Sequence, residues 1–163
     1  MSSGSGVAGS GDTIAVARSL VVDAPQARAF EVFVDMTSWW PLATHTIGAA
    51  PAQASIVEPY VGGRWYDIDR NGAETTIGRV IAYEPPHRLV VTWGISHDWT
   101  YDPDLRTEIE VQFIAESATR TRVEFVHRGL EAYGERAEEE RAIYDRDEAW
   151  TRVLQLYADK ANA

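Results

Sequence analysis

The 163-residue chain contains no cysteine, which removes disulfides, thiolate metal sites and cysteine nucleophiles at once. Positive charge is also scarce: 15 Lys and Arg stand against 25 Asp and Glu, a net charge of −10. A field of that sign repels phosphate backbones and anionic membrane surfaces, so neither nucleic acid nor a membrane is expected as a partner. Its ordinary consequence is solubility. No apolar run approaches the roughly 18–20 residues needed to cross a bilayer. The first dozen residues have neither the basic start nor the apolar core of a secretory signal, and a cytoplasmic location is expected. That stretch is mostly Gly, Ser and Ala, a composition that cannot offset its ordering entropy by burial. Residues 1–12 are therefore expected to form a flexible tail and residues 13–163 a single domain. The length agrees, since about 100–200 residues make one domain.

Several chemistries are missing as well. His45, His87, His97 and His127 are far apart and show no ligand spacing of a known metal site, so neither a metal nor another cofactor is expected. Gly62-Gly63 precedes a strand rather than a helix, which is the wrong context for a phosphate loop. No G-x-S-x-G elbow is present.

What is there reads as strands with a helical end. Ile14 to Val22 is rich in β-branched residues and predicts a first strand. Asp23-Ala24-Pro25 predicts a capped helix start, and Ala29, Phe30, Phe33 and Val34 recur at helical spacing. Asp35 to Trp40 predicts a second short helix, stopped by Pro41. From Thr44 to Pro59 the pattern is weak, a loop and a brief strand. Arg64–Asp69 and Glu74–Tyr83 flank Asn71-Gly72, a hairpin pair. Arg88–Ile95, Glu108–Ala115 and Arg122–His127 continue the series, with Val123, Phe125 and His127 on one face. These are half-buried antiparallel strands rather than βαβ units. A long helix over about Glu135 to Lys160 follows. At 100° per residue Ile143, Trp150, Leu154, Tyr157 and Ala161 form its apolar stripe.

The order of these elements resembles the helix-grip fold, and particular residues sharpen the likeness. Pro59-Tyr60-Val61-Gly62-Gly63-Arg64-Trp65 is similar to the P-x-x-G-G-x-W strand of the START-like (SRPBCC) superfamily. The branch it resembles is the one related to the activator of heat-shock-protein ATPase. Trp39-Trp40-Pro41, Gly62 to Tyr66, Gly78, Trp93, His127 and Trp150 together resemble a subgroup that includes enediyne-resistance proteins. The likeness runs from about Thr13 to Ala161. It implies an α+β, helix-grip (START/Bet v-like) fold, a curved antiparallel sheet with two short helices wrapped around a long C-terminal helix. It also implies a deep cavity for a lipid, polyketide, hormone or drug, as a monomer or homodimer. Fold alone does not select among binding, cyclisation and hydrolysis. In an enediyne-resistance member the chain is cut at a glycine in the equivalent loop. Here Gly94 stands at the strand end, while Ser96–Arg106 holds His97, Asp98 and Trp99 but no glycine. That departure argues against a copied self-sacrifice.

Six tryptophans supply either core or cavity wall, and flat walls suit planar, conjugated ligands. The candidate ligand-binding set is Trp39, Trp40, Trp65, Asp67, Trp93, Trp99, Phe113, Phe125, His127, Asp147 and Trp150. Of Trp39 and Trp40, one is expected to anchor the small helices and the other to act as a lid. His127 is either a satisfied core residue or a polar handle for proton transfer. Asp147 falls inside the apolar stripe, where a carboxylate is costly unless paired or wet. Asp67 shares Trp65's side of its strand. Convergence of His127, Asp147 and Asp67 would give the pocket a polar end and a cyclase or hydrolase its acid and base. Sequestration of a small hydrophobic molecule is the leading expectation. An enzyme and a co-chaperone-like interaction module are the alternatives.

Overall fold

The computed structural model describes residues 14–163, and the expected tail of residues 1–12 lies outside them. Seven strands form one antiparallel sheet: β1 Val16–Val22, β2 Ala52–Val57, β3 Arg64–Asp69, β4 Glu74–Glu84, β5 Arg88–Trp93, β6 Thr107–Ser117 and β7 Arg120–Arg128. Their spatial order is β1-β7-β6-β5-β4-β3-β2. β1 therefore reaches across the sequence to pair with β7, with Leu20 opposite Val123. The predicted meander is present, and each strand given limits from the sequence falls within two residues of them.

Alternation decides which side faces in. Trp65, Asp67 and Asp69 are buried along β3 while their neighbours are half-buried. Ile109, Val111 and Phe113 on β6 and Val123, Phe125 and His127 on β7 point to the same core. The sheet bends where register slips, between Trp65 and Tyr66 opposite Gly78. A Cβ at position 78 would lie 1.8 Å from the Thr92 carbonyl oxygen, so only glycine allows β4 and β5 to come this close. The hairpin after β3 uses Gly72 at φ +82°, and the Asp69 carboxylate accepts the Asn71 and Ala73 amides at 2.8 and 3.0 Å.

Helix α1, Gln26–Val34, buries Ala29, Phe30, Val32 and Phe33. It starts after Pro25 without the expected carboxylate cap: no side chain caps it. Asp23 instead gives its backbone N–H to Asn162 Oδ1 at 2.7 Å, tying the helix start to the C-terminus. The second predicted helix shrinks to a 3-10 turn over Met36–Ser38.

The long C-terminal helix is broken, contrary to expectation. A 3-10 segment, Leu130–Arg136, leads into α2, Ala137–Tyr144. Arg146 is extended (φ −67°, ψ 155°), Ala149 is non-helical (φ −90°, ψ −118°), and α3 resumes over Arg152–Asn162. Two distant side chains occupy carbonyls beside the break. Arg18 Nη2 donates to the Asp145 carbonyl at 3.1 Å, and His45 Nε2 donates to that of Glu148 at 3.1 Å. Broken helix ends need such partners.

Candidate functional site

The break opens a cleft of about 420 Å3 between the sheet, the residue 44–47 loop and the unwound segment. That size lies within the range of small-molecule sites. Its walls include Trp40, Trp93, Trp99 and Trp150, with Tyr144, Ile95, Ile143 and Val153 between them. Thr44, His45, Arg146 and Glu148 bring polar groups to it.

The indoles support one another edge to face, with Trp65 and Trp93 tilted at 51°, and aromatic quadrupoles favour the edge-to-face arrangement. Trp93 lies 5.2 Å from Trp150 and 5.6 Å from Trp65, and Trp40 lies 5.5 Å from Trp65 and 6.1 Å from Trp150. Trp40, Trp93 and Trp150 are themselves largely buried, so each shows the cleft only an edge or part of a face. Trp99 differs, being 48% exposed.

Trp99 belongs to the Ser96–Arg106 loop and lines the cleft from there. The Asp102 N–H donates to the Gly94 carbonyl at 2.7 Å and the Ser96 N–H to that of Thr100 at 2.8 Å. Ile95 bridges Tyr101, and Ser96, Asp98 and Thr100 interlock through their side chains. At this pinned tip Trp99 takes φ +62°, the one positive φ of a non-glycine residue among the described residues. For a bulky side chain that is a strained conformation. Gly94 is itself buried, and a Cβ there would meet the Tyr101 ring at 2.7 Å.

Of the predicted set, then, Trp40, Trp93, Trp99 and Trp150 line the cleft. Trp65 sits one layer behind. Phe113 packs against Phe30 and Phe33 at the far end of the core, and Phe125 against Trp150. Trp39 and Trp40 are both buried, and neither is a lid. Both can be buried because Trp39 already lies outside the helix, at φ −142°, so helical geometry does not turn the two side chains apart. Trp39 Nε1 donates to the Val32 and Phe33 carbonyls at the end of α1, and Trp40 Nε1 to that of His45.

The three titratable candidates do not converge. His127 is fully buried and accepts the Trp150 Nε1 proton on Nδ1 at 3.1 Å. Its own proton therefore sits on Nε2, donated to Thr107 Oγ1 at 2.9 Å, and that hydroxyl donates to the Trp93 carbonyl at 2.7 Å. Burial lowers its pKa to about 3. A neutral imidazole with both nitrogens engaged braces two cleft tryptophans. Asp147 is exposed, because the break in the helix rotates it out of the stripe that continuous spacing assigned to it. Asp67, on β3, is four strands from His127 in the sheet. It is 4% exposed with Oδ1 unpartnered. Burial pushes its carboxyl up to about 6, against the neighbouring Ser55 hydroxyl, which lowers it.

Tyr144, which lines the cleft, and the polar groups behind it were not foreseen. Trp93 Nε1 donates to Tyr144 Oη at 2.9 Å, Tyr144 and Tyr133 hydroxyls lie 3.2 Å apart, and Tyr133 donates to the Ile95 carbonyl at 2.6 Å. Glu140, one turn before Tyr144, is 2% exposed with Oε1 unpartnered, and burial raises its pKa. Tyr144 and Glu140 stand four apart, the spacing of one helix face. That spacing was in the sequence, hidden by an assumed unbroken helix.

Residues 23–156 match the family model described as Activator of Hsp90 ATPase homolog 1-like protein. The chain belongs to this family. Among solved structures it is similar to the anthrahydroquino-gamma-pyrone synthase Txn09, at 34% identity over 92% of this chain and 99% of that one, TM-score 0.62. It is also similar to CalC, a self-sacrificing resistance protein from Micromonospora echinospora, at 30% identity over 93% and 96%, TM-score 0.67. Protein NE0264 from Nitrosomonas europaea, at 12% identity over 90% and 92%, TM-score 0.62, shares the fold alone. No curated protein sequence matches the chain. The chain thus has the helix-grip architecture and belongs to the START-like superfamily, in the branch of the Hsp90-ATPase-activator family, with CalC among its structural neighbours.

Proposed function

We propose that the protein binds a planar, conjugated, polyketide-like small molecule in the cleft and sequesters it. The observation that carries this reading is the wall of four indoles around about 420 Å3. Large, rigid aromatic faces suit flat ligands and lose little entropy on binding them. Similarity to CalC, named for resistance, and to Txn09, named for a polycyclic pyrone, supports the same ligand class. Binding is favoured over cyclisation or hydrolysis by the state of the titratable candidates. His127 is neutral and engaged, and Asp147 faces solvent.

The test is titration of intrinsic tryptophan fluorescence and calorimetry against anthraquinones, anthracyclines and enediynes, with linear fatty acids as controls. Saturable one-to-one binding of the flat molecules, at least ten-fold tighter than of the fatty acids, is expected. Failure of every polycyclic ligand to bind would refute the reading.

A further inference from the structure

Resting on that reading, we propose that the Tyr144 hydroxyl is the hydrogen-bond donor that recognises a carbonyl oxygen on the ligand, selecting quinone- or pyrone-like molecules over bare polycyclic hydrocarbons. The argument is one of protons. Tyr144 lies on the cleft wall. Its oxygen accepts the Trp93 indole N–H at 2.9 Å. The Tyr133 proton is committed to the Ile95 carbonyl at 2.6 Å, a short and strong bond. Tyr144 is thus left to donate its own proton to Tyr133 Oη across 3.2 Å. That is long for an O–H···O bond, whose usual distance is about 2.7–2.8 Å. The weakest link of the chain is therefore the proton of the one hydroxyl in it that belongs to a cleft residue. A ligand carbonyl offers it a better acceptor, and turning the hydroxyl breaks nothing else.

The surroundings keep this group a donor. Burial raises the Tyr144 pKa to about 12, with buried Glu140 acting in the same direction. At neutral pH the phenol stays protonated. It can give a hydrogen bond to a ligand oxygen but cannot remove a proton from the ligand. Among the aromatic side chains of the wall, one directed donor favours a ligand that carries the acceptor over one that leaves the phenol with only its long bond.

The experiment compares two neutral ligands of the same outline, 2-(hydroxymethyl)anthraquinone and 2-(hydroxymethyl)anthracene, by calorimetry on wild type, Tyr144→Phe and Tyr133→Phe. The expected result is that wild type prefers the quinone. Tyr144→Phe should weaken the quinone about five-fold, the ordinary worth of one neutral hydrogen bond, and leave the hydrocarbon within two-fold. Tyr133→Phe removes the competing acceptor, so its quinone-to-hydrocarbon preference should equal or exceed wild type. It keeps the test open should Tyr144→Phe fold poorly. If both ligands bind and Tyr144→Phe weakens them equally, or the preference falls in Tyr133→Phe, the donor role is overturned while the cleft reading stands. If neither ligand binds wild type, the donor role is overturned, and the cleft reading stands or falls with the wider panel of polycyclic ligands.

Discussion

At the scale of single residues, two buried titratable groups set opposite pH dependences. Asp67 has its pKa raised to about 6 by burial, above the roughly 3.9 of an unfolded aspartate. The folded chain holds more protons between those values, so Asp67 lowers stability progressively as pH rises from about 4 to about 6. Asp67→Asn should therefore gain about 1–2 kcal/mol at pH 7, with the gain vanishing near pH 4. Urea unfolding at several pH values measures this, and a constant difference between the two proteins would refute it. His127 works the other way. Its pKa is depressed to about 3 in the folded state, so its contribution is present above about pH 6.5 and is lost as pH falls toward 3. In the Asp67→Asn background that loss should stand without the opposing contribution of Asp67. His127→Ala should cost about 3–5 kcal/mol at pH 7, since it opens a cavity and strands the Trp150 N–H and the Thr107 hydroxyl. The burial of His127 and Asp67 was legible from strand alternation, because a period of two needs only local register. Their partners were not, because Thr107 and Ser55 meet them only through strand pairing.

At the scale of elements, the strands could be read and the last helix could not. Val, Ile, Phe and Trp at alternate positions place β3, β6 and β7 within a residue or two. The stripe from Ile143 to Ala161 also looks continuous, since Trp150, Leu154, Tyr157 and Ala161 are buried as expected. No proline or glycine marks the break at Asp145–Ala149. It is held by Arg18 and His45, more than a hundred residues away in sequence, a tertiary override of local propensity. Asp147 was misplaced, and the Glu140–Tyr144 face missed, for that one reason. The Trp99 loop carries a prediction at this scale. A left-handed conformation costs a non-glycine residue about 1–2 kcal/mol, and glycine adopts it freely. Trp99→Gly should leave the thermal midpoint unchanged or higher, yet weaken a flat aromatic ligand by at least five-fold. Such a split would mark the strain as a cost retained for binding. A fall in midpoint without loss of affinity would make Trp99 a packing residue.

Across the whole molecule, core and cleft share their walls. Aromatic contacts run from Phe113 through Phe33 and Tyr157 to Trp39, then through Trp40, Trp65 and Trp93 to Tyr144 and Trp99 at the cleft. A sheet curled around one end of a helix cannot close without filling that space with large side chains, and dense packing transmits displacement from layer to layer. Position along this chain, rather than loss of stability as such, should then decide the effect on affinity. Trp65 touches no cleft surface but supports both Trp40 and Trp93. Phe113 lies at the opposite end, against Phe30 and Phe33. Trp65→Phe and Phe113→Leu should each lower stability by about 1–3 kcal/mol, as core changes of this size do. Affinity for a planar aromatic ligand should fall several-fold in Trp65→Phe and stay within two-fold of wild type in Phe113→Leu. Denaturation and calorimetry on the same preparations give both numbers. Equal losses of affinity at matched losses of stability would mean that the cleft responds to the looseness of the whole core, and that the indoles behind it do not hold its shape.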